Sequence, residues 1–134
     1  MEHQINQDNY NEEPDHKKIK QFEKEVALGL WIQVLGQVIE IKGLTGLLNI
    51  ERDTDLVGET QILTGVWIKT IGQLLEAISV SCQIGEKDLI KLLQEQKVAI
   101  TGDFLVSLGA AYEVLGGIRT LGEEETAQTL QIIP

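Results

Sequence analysis

Glu40, Glu76 and Glu113 are the residues of this sequence whose type and spacing could do chemistry. Each closes one copy of a twelve-residue pattern: "GLWIQVLGQVIE" over 29–40, "GVWIKTIGQLLE" over 65–76 and "GDFLVSLGAAYE" over 102–113. Three matched carboxylates could share protons or hold a cation. Acid–base work needs a cleft that drives two carboxyl pKa values apart, and nothing in the sequence marks one. Helices running up, down and up would also set Glu76 at a different height from the other two. The expected role of each is a hydrogen-bonded seam residue or a solvated one. His3 and His16 lie in or beside a polar N-terminal stretch, and neither has a Cys or carboxylate constellation with metal-ligand spacing. Cys82 is the single cysteine, so no internal disulfide can form. With no helix-borne histidine to activate it, Cys82 is expected to be a buried structural thiol. "LGGIRTLG" has glycines but neither the Walker spacing nor a preceding strand. No enzymatic activity, metal or cofactor is expected.

The elements that would carry these residues follow from the repeated pattern. Glycine, an aromatic, glycine and glutamate keep fixed offsets in all three copies. The glycines are Gly29 and Gly36, Gly65 and Gly72, Gly102 and Gly109; the aromatics are Trp31, Trp67 and Phe104. The step from Gly29 to Gly65 is 36 residues and from Gly65 to Gly102 is 37, the range of stacked helical units. Apolar residues recur at three- and four-residue spacing in each copy, for example Leu28, Trp31, Ile32, Leu35, Val38 and Ile39. Asn49, Gly85 and Gly122 fall at one repeat offset as left-handed helix stops. Asp15, Asp55 and Asp88 are placed to cap helix starts. The expected fold is all-α: an up-down-up bundle of three long antiparallel helices near 15–48, 55–84 and 88–121, from a triplicated repeat of about 36 residues. Residues 1–14 read as a disordered acidic tail. The tail over 123–134 fits either a short helix or a docked strand.

A glycine inside a helix costs about 1 kcal/mol against alanine, so six matched glycines need an offsetting gain. At 100° per residue they form one stripe on each helix, with small residues every seven positions. The glycines are expected to form a seam where a neighbouring backbone approaches closely. The seam residues would be Gly29, Gly36, Glu40, Gly65, Gly72, Glu76, Gly102, Gly109 and Glu113. The competing reading is a solvent face that tolerates glycine. The opposite side is wide and apolar, with Trp31, Trp67 and Phe104 near its centre. It is wider than a lone three-helix bundle needs, which points to cover by another chain, either a second copy or a helical protein partner.

Charge narrows the choice of partner. The 134 residues carry a formal net charge of −10, which excludes nucleic acid as an expected partner and opposes electrostatic docking on an anionic membrane. Membrane association remains an alternative, because the apolar stretches approach spanning length. Charges near their middles oppose it: Glu40 and Lys42, Lys69 and Glu76, Asp103, Glu113 and Arg119. A further alternative is a carrier enclosing a small apolar ligand between Trp31, Trp67 and Phe104. The start of the chain is polar and acidic with no apolar h-region, so cytoplasmic residence is expected. The leading expectation is a non-enzymatic structural or interaction protein that self-associates.

The Gly-x-aromatic and Gly-x-x-x-Glu elements, repeated over about residues 26–122, resemble a group of small repetitive proteins of unknown function from spore-forming Gram-positive bacteria. The third copy departs from that pattern, with Phe104 in place of Trp and Ala110 in place of Gln. The resemblance implies bacterial origin and carries no activity.

Overall fold

Three apolar-periodic segments separated by two short polar breaks give three helices and no strand among the described residues. The computed structural model describes the backbone over residues 5–51 and 57–132, and side chains within 15–51 and 57–131. Helix α1 spans Ile5–Ile50, α2 spans Val57–Gln83 and α3 spans Leu89–Ile132. The all-α class and the three long antiparallel helices are those the sequence predicts.

The ends differ where propagation outruns local stop signals. α1 begins at Ile5, ahead of the Asp15 start and within the stretch over 1–14 read from sequence as disordered. That polarity argument concerns burial against a core and does not forbid a helical backbone. α3 runs straight through Gly122 to Ile132. "EEETAQTLQ" is made largely of residues that a helix already formed extends through at little cost. Asn49 is likewise helical, with no positive φ. Of the three expected left-handed stops, Gly85 alone has one, at φ +69°. Asp55 lies outside the described residues.

The turn after α2 is built as a helix stop followed by a helix start. Glu86 N donates to Gln83 O at 3.1 Å, and Gly85 supplies the left-handed step. Asp88 Oδ1 then accepts from Ile90 N at 3.0 Å, capping α3 as its sequence position predicts. Gly85 N also donates to Glu23 Oε2 at 3.4 Å, tying this turn to α1.

α2 occupies the middle of an open row. It packs against both neighbours, while α1 and α3 do not pack on each other among the described residues. Toward α1 the contact is made by side chains. Ala27, Leu30, Val34 and Ile41 are buried on α1 at helical spacing, and Val66, Thr70, Gln73 and Ala77 are buried on α2. Leu30, Val34 and Ala77 form the core cluster, with Val80 against it. Trp31 Nε1 donates to Ser81 Oγ at 3.0 Å, and Ser81 Oγ donates to Ala77 O at 2.6 Å. This antiparallel register sets Gln37 opposite Gln73. Gln37 Oε1 and Gln73 Nε2 are buried, and neither atom has a hydrogen-bond partner. Thr70 is satisfied by donating to Val66 O at 2.7 Å.

Replacing the α3 cap, Asp88→Ala, is expected to cost about 1 kcal/mol. Denaturant melts should show the loss, with Asp88→Ser retaining most of the stability.

Candidate functional site

The candidate site is the glycine seam, and its residues divide into a closed part and an open part. In α2 the stripe Gly58, Gly65, Gly72 and Ser79 is fully buried. Across from it, Gly116, Gly109 and Gly102 of α3 are buried too. A Cβ placed on Gly65 would lie 2.6 Å from Gly109 O, and one on Gly109 would lie 2.5 Å from Gly65 O. Gly72 and Gly102 stand in the same reciprocal relation at 2.5 and 2.6 Å, and a Cβ on Gly116 would lie 2.8 Å from Gly58 O. Real Cβ atoms do not approach backbone so closely, so these positions admit hydrogen alone. That hydrogen points at a carbonyl oxygen of the other helix, the arrangement of a Cα–H···O contact. Such contacts contribute about 0.5–1 kcal/mol each, comparable to the helix cost of about 1 kcal/mol per glycine.

The α2–α3 pair has an internal two-fold relation in its matched positions. Exchanging the second and third copies turns the pair Gly65–Gly109 into Gly102–Gly72. The same exchange turns the pair Lys69–Glu113 into Val106–Glu76. Lys69 Nζ lies 2.9 Å from Glu113 Oε2, with both side chains largely buried. Glu76 faces Val106 at the equivalent place and has no cation there. Burial, and then a hydrogen bond and charge repulsion from Asp103, push its pKa up to about 7. Glu76 thus lies beside Asp103 with no cation at its equivalent place, and Glu113 is ion-paired with Lys69.

The first copy departs from the seam expectation. A Cβ on Gly29, Gly36 or Gly43 would meet nothing within 4 Å, and Glu40 is exposed. α1 docks on α2 through the Leu30 and Val34 stripe, about a quarter turn or more around the helix, which leaves its glycine face uncovered. Gly29, Gly36 and Glu40 therefore belong to no seam within this chain.

The aromatics are also uncovered. Trp31 is 38% exposed, Trp67 51% and Phe104 66%. Trp31 and Phe104 stand on the two outer helices, which make no direct helix–helix contact among the described residues. Cys82 is exposed, against the expectation of a buried thiol. Its side of α2 would be covered in a closed bundle, but an open row leaves it bare. Among the described residues, no group of three or more His, Cys, Asp or Glu side chains could hold a metal ion. His16 lines a shallow cleft with Lys20, Glu23 and Gly85 at the α2–α3 turn. Gly58 joins the seam without being one of the repeated glycines, and a heptad step back from Gly65 finds it. Asp103 as the partner of Glu76 has no such signal, since it depends on the antiparallel register.

Comparison with protein-family models, with curated proteins and with solved structures gives no match.

Gly72→Ala is expected to destabilise the fold by about 1–3 kcal/mol through overpacking, despite the better helix propensity of alanine. Gly36→Ala should instead stabilise the single chain, at concentrations where it is dissociated, by up to about 1 kcal/mol. Thermal melts of the pair check both signs. A raised carboxyl pKa means that the folded chain holds the proton more tightly than the unfolded one. The contribution of Glu76 is therefore complete below its ordinary value of 4.5 and is lost as pH rises through about 7. Melting temperature should fall across that window more in the wild type than in Glu76→Gln.

Proposed function

We propose that the protein is a non-enzymatic structural or interaction protein, a helical unit that self-associates through its uncovered apolar face and the open glycine stripe of α1. The observation that carries this reading is the mismatch between what is apolar and what is buried. Among the described residues, six apolar ones form the buried core: Ala27, Leu30, Val34, Ile41, Val66 and Ala77. Large side chains such as Ile39 at 71%, Ile71 at 52% and Leu108 at 46% are exposed on all three helices. The accessible surface is 10315 Å², against about 7,000 Å² for a compact monomer of this mass. The exposed apolar side chains contribute to that excess. Surfaces of that kind mark interaction sites.

A membrane-associated protein is the second reading, and burial is what favours it. α1 and α3 each contain a segment long and apolar enough to cross a membrane, with mean hydropathy 1.3 and 1.5, of which 17% and 11% is buried. Glu40 and Lys42 on α1, and Asp103, Glu113 and Arg119 on α3, weigh against insertion at about 2.5–3.5 kcal/mol for each charge at a helix centre.

Light scattering of the detergent-free chain at tens of micromolar is expected to give a mass of two or more chains. A monomer would refute self-association. Recovery solely in the membrane pellet after high-speed centrifugation would favour the second reading instead.

A further inference from the structure

We propose that α1 pairs antiparallel with α1 of a second copy of this chain, Gly29 of each helix lying against Gly36 of the other, to close a symmetric dimer. The proposal rests on the self-association reading and specifies its surface.

The template lies within the chain. Gly65 and Gly72 of α2 meet Gly109 and Gly102 of α3 in reciprocal contact, and the sequence pattern matches those four glycines to Gly29 and Gly36. The α2–α3 pairing is two-fold in these positions, so it joins equivalent residues of two equivalent helices. Applied to two copies of α1, the same register sets Gly29 against Gly36 and Gly36 against Gly29. Both positions are open in the chain, since an added Cβ meets no atom within 4 Å. The contact that α1 makes with α2 uses a different face, so docking a second copy disturbs nothing already formed. α1 is the one helix of the three whose glycine stripe has no partner.

The flanking chemistry fits the same register. Where Lys69 bridges Glu113, the dimer would bring Gln33 of one copy to Glu40 of the other, twice by symmetry. A side-chain amide donates to a carboxylate, so no charge is buried without a partner. One heptad out, Gly43 faces Phe22 of the other copy. Phe22 stands where Gly58 stands in α2, a place the α2–α3 packing reserves for hydrogen, so the two copies must diverge there and the close approach is confined to the two central pairs. An isologous contact of this kind closes on itself and yields a dimer.

Two variants of the full-length chain test it. Gly36→Leu should keep its helix content, because the position is open within the chain. It should weaken the dimer about tenfold or more, since two overpacked sites form per dimer. In a Cys82→Ser background, Gln33→Cys sits beside the two-fold axis and should form a disulfide-linked dimer under mild oxidation. Leu35→Cys, exposed on the far side of α1, should not. An oligomer whose mass is unchanged by Gly36→Leu, with no Gln33→Cys cross-link, overturns this pairing and leaves self-association standing on the apolar face. A wild-type monomer overturns both. Should Gly36→Leu misfold, the cross-link alone decides. Binding of wild type to phospholipid vesicles that Gly36→Leu abolishes, without a dimer, would assign the stripe to a lipid surface and overturn the pairing.

Discussion

Reciprocal contact between glycine backbones of α2 and α3 is the constraint from which the rest of the molecule follows. Each of Gly65, Gly72, Gly102 and Gly109 has a carbonyl of the other helix where its own Cβ would stand. Helices this close have no room for Leu or Ile between their axes. The apolar side chains that a conventional bundle would interdigitate are pushed to the flanks and outer faces, and Trp67, Ile71, Phe104 and Leu108 end up exposed. The contact therefore sets the apolar character of the surface as well as the spacing of the helices. Such a pairing draws on close packing and aligned dipoles more than on burial of large side chains.

α2 thus mediates two unlike contacts. Toward α3 it presents hydrogen, and toward α1 it presents Val66, Thr70, Gln73 and Ala77. The second contact resembles ordinary side-chain packing, with a polar layer at Gln37 and Gln73. A buried amide layer costs stability and penalises a slip of one heptad, since a shifted register sets each amide against an apolar group. The tie from Trp31 through Ser81 to Ala77 O fixes the same register near the other end of the contact.

Much of this was legible in the sequence, because the signals were periodic. The three segments at 36- and 37-residue steps predict three helices, and the Gly85 stop and the Asp88 cap lie where local chemistry requires them. The stripe of Gly65, Gly72, Gly102 and Gly109 predicts a seam, since no other gain offsets the loss of helix propensity. What the pattern could not reveal is which stripes meet. Two helices in the chain satisfy each other, and an odd third has no equivalent left, so identical sequence signals at Gly36 and Gly72 end in opposite environments. The exposure of Cys82 and the Glu76–Asp103 contact follow from that same arrangement and not from residue type. α3 continues past Gly122 because a stop signal competes with a helix already formed, and Gly122 without a following proline is a weak competitor.

The short turn between α2 and α3 has a consequence for fidelity of assembly. By the symmetry of the matched positions, α2 paired with its own counterpart in another molecule would face Lys69 with Glu76 at both ends. That arrangement would neutralise the carboxylate that Val106 leaves without a cation. The α3 helices released would then set Glu113 against Val106, so the number of ion pairs is the same in both arrangements and charge does not choose between them. Residues 84–88 oppose the exchange by tethering: so short a linker holds α3 at an effective concentration in the millimolar range, far above that of any free rival. Covalent connectivity, and not complementarity of charge, selects the partner of α2.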